Sequence, residues 1–263
     1  MPRGVVTTTD GPSTELEDRA RDLAARLHQR YVSRERLTLR VLLHRADATA
    51  VLVLGEESLR YGIQGHLYGF HPNMARHRVA TLIAGRADRL TDVATLASGD
   101  QFLDCTCGLG ADAIVAAHVV GTTGAVDALE ASPVLAELVK HGLHRYQHRD
   151  PNLVGAMRRV RVRTTNYREL LPTLDDESWD VVYLDPMFET PILATHGLDL
   201  VRRLAVPDRP TRADIAEARR VARRTVVVKD RAPGALLRAL EASPSGFATF
   251  VFPPLNPLRL LTD

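Results

Sequence analysis

Apolar positions along the chain follow two rhythms. From Gln101 onward, short β-prone runs (Gln101 to Cys105, Ala125 to Leu129, Val160 to Thr164, Trp179 to Leu184, Thr225 to Lys229) alternate with stretches of helical periodicity. Strands separated by crossover helices run parallel, so this part predicts a doubly wound α/β sheet covered on both faces. The pattern then changes. Phe247 to Phe252 and Leu258 to Leu261 are separated only by Pro253-Pro254-Leu255-Asn256-Pro257, too short for a crossover, and are expected to pair as an antiparallel hairpin at the sheet edge.

Residues 1–70 predict a small α/β domain. A strand over Val5 to Thr9 meets a Gly11-Pro12 turn, and Thr14 with Glu17 forms a capping box before a helix running to about Gln29. A short helix from Thr38 to about His44 and an apolar strand, Ala50 to Leu54, follow; Gly55 to Ser58 turns the chain, and Leu59 to Tyr61 returns as a hairpin. Residues 71–98 read as a mostly helical connector carrying Arg76, His77, Arg78, Arg86 and Arg89, and residues 99–263 form the doubly wound domain. Within it, a helix from Thr211 to Arg224 is expected to bury Ile215, Ala218, Val221 and Ala222.

Composition changes this picture little. A hydrophobic content of 45% over 263 residues suffices for a packed core, and the two cysteines, Cys105 and Cys107, fit neither a disulfide framework nor a zinc site. His141, His144 and His148 share a helical spacing, but no carboxylate base accompanies them, so no metal is expected. The first residues lack a signal-peptide core and no segment has the roughly 20 apolar residues that span a bilayer; a soluble, cytoplasmic protein without membrane contact is expected. A formal charge of +2 does not by itself argue for a polyanionic partner. Its distribution is uneven: Arg202 to Arg231 holds 10 Lys/Arg against 4 Asp/Glu, and Arg158, Arg159, Arg161 and Arg163 cluster upstream, either as solvated faces or as a nucleic-acid surface.

The first chemistry-bearing motif is Asp104-Cys105-Thr106-Cys107-Gly108-Leu109-Gly110-Ala111-Asp112, which ends one strand and opens a helix. Glycines there let the backbone approach a ligand beyond the carboxyl ends of the strands. Glu130, ending the next strand, can accept from both hydroxyls of a ribose, which makes this a nucleoside site. Gly108-x-Gly110-x-x-Ala113 also satisfies the dinucleotide fingerprint. Asp104 weighs against a diphosphate, which it would repel, and for S-adenosylmethionine, whose ammonium it would attract. Asn166, after the third strand, either meets the adenine amine or caps the following helix.

The second motif is Asp185-Pro186-Met187-Phe188, delivered to the same sheet edge by Trp179 to Leu184. It is similar to the [DN]-P-P-[YF] signature of amino-methyltransferases. The lone pair of a ring-conjugated amine must be drawn out of the π system before it can attack. The Asp185 carboxylate and the Pro186 carbonyl are suited to accept its N–H groups, and Phe188 to stack on a base.

Together these motifs resemble the RsmJ-like family of class I methyltransferases, which act on the N2 amine of a guanosine in small-subunit ribosomal RNA. The resemblance rests on Asp104-x-Thr106-x-Gly108-Leu109-Gly110-x-Asp112-Ala113, Glu130-x-x-Pro133, Val181 to Phe188 and Val226-Val227-Val228-Lys229, with Met74-Ala75-Arg76-His77-Arg78 and Gly85-Arg86 upstream. It covers about residues 70 to 230 and departs from the family after Phe188, where Glu189, Thr190 and Pro191 stand in place of Pro and a Lys-rich stretch. It implies a Rossmann-like methyltransferase sheet binding S-adenosylmethionine through Asp104, Thr106, Gly108, Gly110, Asp112, Glu130, Asn166 and Asp185. Catalysis would fall to Asp185, Pro186 and Phe188, and RNA contacts to Arg76, His77, Arg78, Arg86, Met187 and Lys229. Residues 6–13 and the strand ending at Leu54 are similar to the start of Brix-type rRNA-binding proteins. A methyltransferase for small-molecule or protein amines, or a non-catalytic cofactor-binding assembly protein, stays open as an alternative; oligomeric state is not legible.

Overall fold

The computed structural model describes residues 3–186, 196–207, 209–230, 236, 240 and 249–252. They group into two compact units, residues 1–71 with 137–147, and residues 72–136 with 148–263. The first thus takes in a stretch from mid-chain that nothing in the N-terminal sequence announces.

In the first unit, β1 (Gly4–Thr8) lies parallel to β2 (Arg30–Tyr31) and β3 (Ala50–Leu54), and β4 (Leu59–Ile63) and β5 (His66–Gly69) extend the sheet antiparallel, giving the order β2-β1-β3-β4-β5. Helix α1 spans Thr14–Arg26 and α2 spans Leu39–Arg45. The cap of α1 is one residue earlier than the sequence suggests: Ser13 Oγ, not Thr14, accepts from the Leu16 N–H at 3.1 Å. The helix also stops short of Gln29 because His28 takes a left-handed φ of 51°. Strands β2 and β5 were not anticipated. The first is two residues long; the second follows Gln64 and Gly65, both at positive φ, the two-residue turn that matches hairpin twist.

The second unit opens with α3 (Asn73–Ile83) and α4 (Arg89–Val93). Parallel strands β6 (Gln101–Asp104), β7 (Ala125–Glu130), β8 (Val160–Thr164), β9 (Trp179–Leu184) and β10 (Ala222–Lys229) follow, with β11 (Thr249–Phe252) antiparallel on β10. Sheet order is β11-β10-β9-β6-β7-β8. The intervening helices are α5 (Ala111–Val120), α6 (Pro133–Arg145), α7 (Pro151–Arg159), α8 (Tyr167–Leu170), α9 (His196–Leu204) and α10 (Arg212–Val221); α6 runs on into the segment that groups with the first unit. The antiparallel edge strand is present, while its expected partner, Leu258 to Leu261, lies outside the described residues. Helix α10 buries Ile215, Ala218 and Val221 as expected but ends at Val221, because Ala222 already pairs with Trp179 of β9. His148 lies beyond the end of α6, and His141 is half-buried rather than on an open face.

Alternation along β9 sends Val182 and Leu184 into a core with Leu103, Leu129, Val226, Val228 and the buried face of α10. Tyr183 points the other way and lies against Phe102, ring centroids 5.8 Å apart. The central strands are therefore buried on both faces, and the carboxyl ends of the parallel strands form one edge. The turn into β7 is tight: a Cβ on Gly124 would stand 2.4 Å from the Asp100 carbonyl oxygen and 2.6 Å from Val120 Cβ. Gly124→Ala is expected to lower stability by about 1–3 kcal/mol. Thermal unfolding followed by circular dichroism measures this, and an unchanged midpoint would mean the turn has slack.

Candidate active site

Five strand ends each bring one polar side chain to the same edge: Asp104 ends β6, Glu130 ends β7, Asn166 follows β8, Asp185 follows β9 and Lys229 ends β10. Strand β6 has β7 on one side and β9 on the other, so the chain reverses direction of winding here and leaves a crevice.

The loop after β6 is fixed from beneath. Cys105 N–H donates to the Tyr183 carbonyl at 2.8 Å and Cys107 N–H to the Leu129 carbonyl at 2.9 Å. Gly108 (φ 53°) and Gly110 (φ 75°) take left-handed conformations that side chains resist, and nothing lies nearer than 4.0 Å to where a Gly108 Cβ would sit. Both cysteines are buried, and burial pushes their thiols well up, which leaves them inert.

Glu130 is the hinge of the pocket. Its Oε2 accepts from the Gly108 N–H at 3.1 Å and its Oε1 from the Ser132 N–H at 2.9 Å. Burial pushes its carboxyl up to about 7 against those two donors. Thr106, Gly108, Glu130, Asn166 and Pro186 line one pocket together with Leu129, Ala131, Thr165, Tyr167, Ala205 and Val206. Asn166 both lines this pocket and caps α8, its Oδ1 accepting from the Arg168 N–H at 2.9 Å.

Asp104 is 1% exposed. Among the described residues its hydrogen bonds come from Thr106 alone, the N–H at 2.9 Å and the hydroxyl at 3.5 Å, and it has no ion pair. Burial and the nearby Asp112 carboxylate push its carboxyl well up. The Thr106 hydroxyl also accepts from the Asp185 N–H at 2.6 Å, joining the loop after β6 to the loop after β9.

Asp112 and Arg78 are placed differently from the sequence reading. Arg78 donates to both oxygens of Asp88, at 2.7 and 2.9 Å, and to Asp112. Burial would lower its pKa, and the two carboxylates more than reverse this. A guanidinium so committed is scaffold rather than a phosphate contact. Asp112 accepts from Arg78 and from the Tyr183 hydroxyl at 3.1 Å, with Lys229 Nζ at 3.7 Å, so its carboxylate is spent within the fold and is not left for a cofactor. Burial opposes its charge, but Lys229, Arg78 and Tyr183 hold it below the usual carboxylate range. Lys229 Nζ sits 2.6 Å from Asp185 Oδ2. Burial, then repulsion from Asp112, raise Asp185 despite that lysine.

Sequence reasoning missed Asp88 and Tyr183, since an Asp before a short helix reads as a cap and a Tyr on an apolar strand reads as core. Asp88 is also a cap, for α4. Arg76, His77 and Arg86 are exposed on and after α3, with Arg76 and His77 side chains 3.3 Å apart. Much of the remaining basic excess is tied down: Arg161 to Asp127, Arg168 to Asp214, Arg220 to Asp176 and Glu217, Arg223 to Asp180, Arg224 to Asp100. Met187 and Phe188 lie outside the described residues. Among the described residues no cluster of His, Cys, Asp or Glu could hold a metal ion, and no helix is long and apolar enough to cross a membrane.

A family model described as "Putative SAM-dependent methyltransferase" matches residues 35–245. The chain belongs to that family. The methyltransferase is 39% identical over 227 residues to the uncharacterized protein YpiP of Bacillus subtilis, covering 86% of this chain and 88% of that one. It is 37% identical over 131 residues to ribosomal RNA small subunit methyltransferase J of Thioalkalivibrio sulfidiphilus and 36% identical over 132 residues to that of Pseudomonas aeruginosa. These alignments cover 48% and 49% of this chain and 50% and 49% of the relatives, so the methyltransferase spans about half the length of each. The crystal structure of a SAM-dependent methyltransferase from Neisseria gonorrhoeae superposes with a TM-score of 0.65 over 98% of this chain and 99% of that one. At 19% identity that likeness speaks for the Rossmann-like fold.

The residues present fit S-adenosylmethionine. Its ribose diol matches a carboxylate at the end of β7, and its positive charge matches a buried carboxylate, Asp104, that pairs with no cation among the described residues. Glu130 makes the fit testable. A carboxyl near 7 favours the neutral form in the free protein, so its contribution to stability is complete below the ordinary carboxylate value and is lost as pH rises through 7. Hydroxyl donors favour the ionised form, so cofactor affinity is expected to rise about tenfold from pH 6 to pH 8, the span of a single group titrating at 7. Calorimetric titration at both values measures it. Glu130→Gln should flatten the dependence, and a wild-type ratio below about twofold would show that Glu130 does not ionise on binding.

Proposed function

We propose that the methyltransferase modifies the exocyclic N2 amine of a guanosine in small-subunit ribosomal RNA. The observation that carries this reading is the Asp185 carboxylate just past β9, with its N–H on the Thr106 hydroxyl at 2.6 Å beside the pocket. The half-length relatives named for small-subunit ribosomal RNA support the choice of RNA.

S-adenosylmethionine supplies an electrophilic methyl group on a sulfonium centre. In this reading Glu130 takes the ribose hydroxyls, Asp104 the ammonium, and Asn166 the adenine edge, while the backbone at Gly108 and Gly110 lies close to the ligand. Asp185 accepts one N–H of the acceptor amine through its carboxylate and Pro186 the other through its carbonyl. These two acceptors draw the lone pair out of conjugation and orient it toward the methyl group. No strong base is needed, because the nitrogen becomes acidic as the new bond forms, and its proton passes to Asp185. Phe188 stacks on the guanine. Arg76, His77 and Arg86, on the exposed side of α3 and just beyond it, hold phosphates without reading sequence.

Mass spectrometry of nucleosides from small-subunit RNA of a deletion strain is expected to lack one N2-methylguanosine, restored by the wild-type gene. An unchanged profile would sink the proposal. Asp185→Asn should slow transfer on the order of 100-fold while leaving cofactor affinity within about threefold. Equal loss of both would move Asp185 from the acceptor to the cofactor.

A further inference from the structure

We propose that Lys229 is a positioning residue for methyl transfer: it pins Oδ2 of Asp185 in an ion pair and leaves Oδ1 turned over to the acceptor amine. The inference rests on the reading that Asp185 receives that amine. Lys229 Nζ lies 2.6 Å from Asp185 Oδ2 and 3.7 Å from Asp112 Oδ2, so one ammonium is shared by two carboxylates from different elements. Among the described residues none donates to Oδ1 of Asp185. The backbone of the same residue is held independently by Thr106, which leaves rotation of the carboxylate as the freedom that Lys229 removes.

The groups around Asp185 make the lysine necessary. Asp112 faces it from α5 and Asp104 from β6, and both disfavour its charge, as does burial. Arg78 of α3 is the other cation in reach, but its guanidinium is bound to Asp88 and Asp112. The hydroxyl of Tyr183, on β9, donates to Asp112. Four carboxylates (Asp88, Asp104, Asp112 and Asp185) therefore face two cations, and among the described residues Lys229 is the one that reaches the Asp185 carboxylate. Without it, no cation among the described residues within hydrogen-bond distance opposes protonation.

The chemistry needs the ionised form. As the nitrogen–carbon bond forms, the carbon–sulfur bond breaks with its electron pair retained on sulfur, and the proton leaving nitrogen goes to Asp185. A carboxyl that already carries a proton cannot take it. Lys229 thus sets the pH at which the acceptor side works, while the cofactor side, at Asp104 and Glu130, is held by other contacts.

The test is carbon NMR of carboxyl-labelled aspartate in the full chain, the Asp185 signal assigned with Asp185→Asn, alongside the pH profile of labelled methyl transfer. In Lys229→Met the Asp185 midpoint is expected to rise by about 1–3 pH units, the acid limb of the transfer profile to move with it, and Lys229→Arg to restore both. Lys229→Gln serves the same purpose where the methionine variant does not fold. An Asp185 midpoint unchanged on loss of Lys229 would overturn the inference. A midpoint that moves without the acid limb would leave the ion pair standing but remove Asp185 from the acceptor chemistry, and so count against the proposed function instead.

Discussion

A carboxylate largely withdrawn from water at the first turn of a helix needs compensating partners, and in this protein those of Asp112 come from three other elements. Arg78 reaches it from α3, Tyr183 from β9 and Lys229 from β10. The amino end of α5 adds a favourable field of its own. Loss of one partner from such a set leaves its charge less well compensated, although water reaching Lys229 softens the penalty. Asp112 therefore sets where α3 lies against the sheet and where Lys229 ends, and through Lys229 it reaches Asp185. Geometry at Asp185 thus depends on a residue from another element.

That arrangement explains what could be read from the sequence and what could not. Asp104, Glu130 and Asp185 were legible because each ends an apolar run, and in a parallel sheet the end of a strand is a place in space as well as in sequence. The central strands were legible for the same reason: in β6, β7 and β9 residues buried on both faces leave a near-continuous apolar signal, while edge strand β8 shows itself by alternation instead. Arg78 and Asp112 were individually visible, but their pairing spans 34 residues and leaves no local trace, so a scaffold arginine read as an RNA contact. Ser13 lost to Thr14 by one residue because either side chain can cap a helix and only backbone angles choose between them. Strand β2, at two residues, is too short to carry a period at all.

Arginine content misleads in a similar way. The clusters at 158–163 and 202–231 suggest a positive surface, yet Arg161 in the first and Arg220, Arg223 and Arg224 in the second each meet a carboxylate of the same chain, as does Arg168 between them. Several of those partners, including Asp127 and Asp100, are nearly buried, so the arginines act as lids over charges the sheet would otherwise strand. A count of basic residues measures what a chain can spend on a polyanion only after such internal pairs are subtracted.

The hydrogen bond from the Asp185 N–H to the Thr106 hydroxyl crosses 79 residues of sequence and joins the loop after β6 to the loop after β9. It needs an acceptor on the side chain at 106, which the threonine hydroxyl supplies. A substitution at 106 that lacks the hydroxyl withdraws an acceptor from a backbone N–H 79 residues away, so a change written in one loop is felt in the main chain of the other.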